Sequence, residues 1–136
     1  MGRKVAFILF ALLFAAGCTR ESDIQKIKEV MKERVSALEK GDLELYARLI
    51  SPDFRGKNGE NRRDVLNKVS RIFSLSSSRK IEVIDQAVYL HGKRAEVVQK
   101  IRIILKNRDG REKILNGKEK ILLTKEGDNW KITGGL

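Results

Sequence analysis

Residues 95–105 read AEVVQKIRIIL, and they alternate. Ala95, Val97, Gln99, Ile101, Ile103 and Leu105 fall on one side of an extended chain, while Glu96, Lys100, Arg102 and Lys106 dominate the other. A strand sends successive side chains to opposite faces, so the pattern predicts a half-buried strand whose apolar side needs a cover. Val98 and Ile104 are left among the cations. Downstream, Asn107-Arg108-Asp109-Gly110 holds Asp-Gly between two such runs, the signal of a hairpin turn. Glu112 to Lys125 then predicts a third strand, with Gly117 as a bulge. Glu126-Gly127-Asp128-Asn129 turns the chain into a last strand, Trp130-Lys131-Ile132-Thr133. Upstream, Ile81 to Leu90 predicts a strand joined to the first by His91-Gly92-Lys93. Short turns between consecutive strands make an antiparallel meander.

The cover lies in the first half of the chain. Ser22-Asp23-Ile24-Gln25 fits a capping box, and Ile24, Ile27, Met31, Val35 and Leu38 then form one apolar stripe at spacings of three and four. Lys40-Gly41 is a helix stop, and Asp42 can cap a second helix that buries Leu43, Tyr46, Ala47 and Ile50. Pro52 ends that helix near Ser51, and Asp53-Phe54 is a short extended piece. After a polar loop, Asn61 can cap a third helix with Val65, Val69, Ile72 and Phe73 on one face. Ser74 to Ser78 reads as a loop. Three helices followed by four antiparallel strands is an α+β pattern.

The long first helix, the Lys40-Gly41-Asp42 break and the run from Tyr46 to Phe54 occur in a set order, followed by the YLHGKRAEV hairpin and Asn129-Trp130-Lys131-Ile132. In that order the chain resembles the nuclear-transport-factor-2-like group, the cystatin-like roll, over about residues 22–134. The resemblance implies three N-terminal helices packed in the concave face of a curved four-stranded antiparallel sheet, leaving a cone-shaped pocket. It also implies that acids, tyrosines or histidines inside the cone carry whatever chemistry there is. The only histidine, His91, falls in a tight turn, where it should face solvent. Candidate pocket residues are Tyr46, Asp53, Asp85, Gln99, Glu119 and Trp130. Asp85 and Glu119 interrupt apolar faces, where a carboxylate is tuned as a general base unless it is paired. With so few such groups, the expectation is no catalytic residue, no metal and no cofactor. The leading reading is a non-enzymatic binding or assembly module for an envelope partner or a small apolar ligand. A small isomerase- or cyclase-type enzyme using a cone carboxylate is the alternative.

Composition narrows the partners. The 136 residues have room for one domain, and one cysteine permits neither a disulfide framework nor a Cys/His zinc site. The net charge is +11, yet aromatics are only 6%, which argues against nucleic acid as the partner. Lys100, Arg102 and Lys106 should share the outer sheet face with Lys118 and Lys120, and Lys113 and Lys125 are read with them. Such a face suits an anionic lipid surface, an envelope protein or a second copy of the chain.

The opening MGRKVAFILFALLFAAGC carries Arg3 and Lys4 ahead of twelve apolar residues, Val5 to Ala16, a run too short to span a bilayer. Its end, Ala15-Ala16-Gly17-Cys18, resembles a bacterial lipobox, although Ala15 stands where Leu is usual. The resemblance implies cleavage between Gly17 and Cys18 and lipidation of Cys18. Residues 1–17 are then a removed signal peptide, residues 18–21 the lipidated cysteine and a short tether, and residues 22–136 the domain. Thr19, in place of Asp after the cysteine, points to the periplasmic face of an outer membrane where the organism has two membranes. Cys18→Ser is expected to leave the protein uncleaved or soluble. A processed, detergent-requiring Cys18→Ser protein would contradict the anchor.

Overall fold

The computed structural model describes residues 2–136, and their side chains from Thr19 onward. The expected signal peptide, and the expected cleavage and lipidation site at Gly17 and Cys18, lie outside the residues whose side chains are described. Helices α1 (Gly2–Lys40), α2 (Leu43–Leu49) and α3 (Arg62–Leu75) precede strands β1 (Ser76–His91), β2 (Arg94–Asn107), β3 (Glu112–Glu126) and β4 (Asn129–Gly134). The strands form one antiparallel sheet in the order β1-β2-β3-β4, with the helices against its concave face. This is the α+β arrangement expected from the alternation and the turns. Among the described residues, no helix is long and apolar enough to cross a membrane.

Local chemistry sets the helix ends. Gly41 takes φ +69°, and the Asp42 N–H bonds the Ala37 carbonyl at 2.9 Å, closing α1 with a left-handed glycine cap. The Asp42 side chain accepts from the Leu45 N–H at 3.0 Å and starts α2. Asn61 and Asp64 form a reciprocal capping box at the start of α3. Ser22, expected as an N-cap, stands within α1, because no glycine or proline interrupts the chain between Thr19 and Ser22. The tether expected over residues 18–21 is helical for the same reason. Nor are Ser74 to Ser78 a loop. The Ser76 N–H and Oγ both bond the Ile72 carbonyl, ending α3, and the chain enters β1 at that residue.

The buried stripe of α1 is Asp23, Ile27, Met31, Arg34 and Ala37, so two charged residues occupy the face expected to be apolar. Ile27 packs in a core with Phe54, Val97, Ile121, Leu123 and Ile132. Near the start of the stripe, Asp23 Oδ1 accepts from Trp130 Nε1 at 3.1 Å and pairs with Lys125 Nζ at 3.0 Å. Burial alone would raise the Asp23 carboxyl, but its bonds to Lys125 and Trp130 outweigh that and hold it below the usual carboxylate range.

Register corrects two readings of the sheet. The irregularity that matters for the site lies in β1 between Val83 and Asp85, with others at Ser76/Ser78 and Leu122/Leu123, and not at Gly117, which pairs with Ile101 in an unbroken β2–β3 ladder. One extra residue there moves Asp85 to the outer face opposite Lys100, and brings Gln86 and Val88 inward opposite Gln99 and Val97. Glu119, free of any bulge, stays on the inner face opposite Gln99.

The chain end is held closely. Gly135 has φ +84°, and a Cβ there would stand 2.0 Å from the Lys120 carbonyl oxygen. Gly135→Ala should therefore cost about 1–3 kcal/mol of stability in urea unfolding. An unchanged midpoint would show that the C-terminal segment is not seated as described.

Candidate functional site

Between the helices and the sheet lies a cavity of about 320 Å³. Leu38, Val65, Val69, Ile72, Ile81, Ile103, Leu105, Leu115 and Leu136 make its walls, and Arg34, Tyr46 and Glu119 meet within it. Arg34 comes from near the C-terminal end of α1, one turn after Met31 on the buried stripe. Its Nη1 and Nη2 donate to Glu119 Oε2 and Oε1, each at 3.0 Å, a bidentate pair. Gln99 Nε2 donates to Glu119 Oε2 at 2.7 Å, and Gln86 Nε2 donates to Gln99 Oε1 at 3.0 Å. One polar chain thus crosses β1, β2 and β3 and ends on α1.

Charge is fixed in this cluster. Burial pushes the Glu119 carboxyl up, but the Arg34 guanidinium beside it and the Gln99 amide outweigh this, so it lies below the ordinary range and stays ionised at neutral pH. Burial works against the Arg34 cation, yet Tyr46 and Glu119 beside it more than compensate. Arg34 Nε is buried and has no acceptor among the described residues, so one donor remains unused.

The expected pocket residues divide. Tyr46 and Glu119 line the cavity, and Gln99 supports Glu119 from behind. Asp53 is exposed in a turn where only its N–H is engaged, by Ser51 Oγ at 3.1 Å, so its carboxylate is not in the cone. Asp85 is on the outer face, and Trp130 is buried against Asp23, away from the cavity. Arg34 and Gln86 were missed. Arg34 keeps the helical spacing of Ile27 and Met31, but nothing local links it to Glu119, and Gln86 was hidden by the bulge. On the outer face Lys100 stands opposite Lys118, Arg102 opposite Asn116 and Lys120 opposite Val98, while Lys106 faces Glu112. Arg102 and Lys120 also pair with Glu82 and Glu96 at 3.6 and 3.5 Å. Lys113 and Lys125 do not belong to that face. Lys113 opposes Leu105 on the inner side, and Lys125 turns to Asp23. His91 is exposed, and among the described residues no three His, Cys, Asp or Glu side chains could hold a metal ion.

No model of a protein family matches the sequence, and none of the curated proteins does. Solved structures do match in fold. A provisionally assigned scytalone dehydratase from Novosphingobium aromaticivorans aligns with a TM-score of 0.79 at 17% identity, over 87% of this chain and 84% of that one. A provisionally assigned dehydratase of the nuclear-transport-factor-2-like family from Streptomyces avermitilis gives 0.75 at 18%, over 85% and 94%. A nuclear-transport-factor-2-like superfamily protein from Salmonella enterica gives 0.70 at 20%, over 81% and 85%. The expectation that the domain is not an enzyme is overturned. It rested on a cone poor in titratable groups. The structures that share the fold include provisionally assigned dehydratases, and Glu119, Arg34 and Tyr46 converge in an open cavity. The chain has the nuclear-transport-factor-2-like fold.

The buried pair generates a prediction. Glu119→Gln leaves a buried guanidinium without its counter-ion and should cost about 3 kcal/mol, while Arg34→Met with Glu119→Leu should cost much less than the two single changes together. Glu119 and Asp23 both titrate lower in the folded chain than in the unfolded one. Their contribution is therefore full above the unfolded value, near pH ~4, and is lost as pH falls through the folded values. Additive single and double costs in urea unfolding would contradict the pair.

Proposed function

We propose that the domain binds a small, largely apolar molecule in the cone and acts on its polar end by proton transfer. The observation that carries this reading is the Arg34–Glu119 pair inside a cavity walled mainly by apolar side chains, with Tyr46 beside the pair and Glu60, Lys68 and Arg79 as its other charged lining. Glu119 is ionised, the form a general base needs, and among the described residues Oε1 carries only the Arg34 Nη2 bond. A carboxylate braced by a guanidinium is a weak base, so its substrate proton must be acidified, as on a carbon beside a carbonyl. Glu119 takes that proton, and the electron pair moves to the carbonyl oxygen. The Tyr46 hydroxyl, on a residue that lines the cavity beside Arg34, is the donor at hand for the resulting oxyanion. Return of the proton to a neighbouring carbon gives isomerisation, and loss of a β-substituent gives elimination. The dehydratases that share the fold are consistent with the second course.

We also propose that the domain works outside the cytoplasm, held to a membrane by a lipidated Cys18. The support is the Arg3-Lys4 start, the twelve-residue apolar run and the Gly17-Cys18 junction.

Small cyclic ketones that displace an apolar dye from the cone should exchange their α-hydrogens with deuterated water faster than in buffer. Tyr46→Phe should lower that rate by about 10–100-fold with dye binding retained. Ketones that bind but exchange only at the buffer rate would contradict proton transfer.

A further inference from the structure

The rim of the cavity carries positive charge that the Arg34–Glu119 pair does not balance. Arg79 rises from the start of β1 on the inner face, opposite Leu105. Its Nε donates to the Leu38 carbonyl at 2.6 Å. Its Nη1 donates to the Ser76 carbonyl at 3.2 Å and to Ser76 Oγ at 2.6 Å. The guanidinium also stacks on the Phe73 ring at 4.7 Å. These contacts fix the group in place without neutralising it. Arg108, from the turn between β2 and β3, donates to the Ser74 carbonyl at 2.6 Å, again a neutral acceptor. Burial, and then the charge of Arg108, hold Arg79 below the usual guanidinium value, as expected where two cations approach each other. Lys113 adds a third cation on the inner face at Leu105.

None of the carboxylates at this end forms an ion pair with Arg79 or Arg108 among the described residues. Glu39 accepts from the Ile81 N–H at 3.4 Å, Glu60 pairs with Lys68, and Asp109 pairs with Arg111 at 3.4 Å. Among the described residues neither Arg79 nor Arg108 has an ion-pair partner, and Arg79 Nη2 has no acceptor. Nη2 lies over Gly41, where even a Cβ would stand only 3.0 Å away. Leu38, which anchors Arg79, is one turn along α1 from Arg34, ~6 Å of helix rise. The walls between the two cations are Ile81, Ile103 and Leu115.

We infer that the molecule taken into the cone is a small organic anion, an apolar skeleton bearing a carboxylate or similar group that sits at Arg79. This deepens the proton-transfer reading and rests on the cone being a ligand pocket. Arg79 reads the charge, the apolar walls take the skeleton, and the far end of the molecule lies at Glu119. Placing the anion at the rim keeps like charges apart, since the opposite arrangement would set it against the Glu119 carboxylate.

A matched pair of fluorescent probes tests this. Anilinonaphthalene sulfonate and N-phenylnaphthylamine share one apolar skeleton and differ by the anionic group. The full-length protein should bind the sulfonate more tightly by about tenfold at low salt, the worth of one charge-assisted hydrogen bond. The preference should shrink as salt rises. Arg79→Met should abolish the preference while leaving binding of the neutral amine unchanged. Arg108→Gln, an exposed change outside the cavity wall, should reduce it about two- to threefold through the Coulomb field alone, so the test survives misfolding of the Arg79 variant. Equal affinity for the two probes in the wild type would overturn the inference and leave the pocket standing. Failure of both to bind would overturn the pocket reading and this inference with it.

Discussion

The bidentate pair of Arg34 and Glu119 is the interaction on which the remainder of the structure depends. It joins the long helix, near its C-terminal end, to the third strand across the concave face. A guanidinium 8% exposed and a carboxylate 22% exposed lose much of their hydration, so the pair is not held for stability alone. Apolar side chains of similar volume would fill the same space at less cost. What the pair provides is a fixed dipole in an apolar cavity, and the Gln86–Gln99 bonds behind it keep the carboxylate in one orientation. The same arrangement that locks the helix to the sheet places an ionised acid and a phenol in the lining of the cavity.

The helix is tied a second time near Thr19, by Asp23 to Lys125 and Trp130. Between Asp23 and Arg34 its buried face is the core proper, Ile27 and Met31. Beyond Arg34 the packing opens into the cavity, whose rim carries Arg79. The cavity that holds Arg34 and Glu119 therefore has its open end beside the Arg79 cluster, at the end of α1 away from Asp23. With the proposed anchor at Cys18, five residues before Asp23, the open end would face away from the membrane and remain accessible to a diffusing ligand.

Much of this was legible in the sequence, and the misses have physical causes. The alternation of Ala95 to Leu105 and the Asp-Gly turn determine the meander, because strand period and turn chemistry are local properties. Glu119 could be placed on the inner face for the same reason. Asp85 could not, since a bulge in β1 reverses the inward set for the following residues and no glycine marks it. Gly117, which looked like a bulge, is an ordinary rung of the ladder. Arg34 was passed over because a charged residue on an apolar stripe reads as a surface position until its partner is known. That partner is 85 residues away, and no local pattern connects them. The expectation that the domain is not an enzyme, which the dehydratases sharing the fold overturn, had weighed the acids of the cone without the arginine.

The most direct test of the account is a carbon-13 NMR titration of the Glu119 side-chain carboxyl in the folded protein. A carboxylate locked by Arg34 and Gln99 should titrate below the ordinary glutamate value of about 4.3, and its shift should be flat through neutral pH. A midpoint at or above that value would mean that burial prevails over the guanidinium. The central pair would then not hold the helix to the sheet as described.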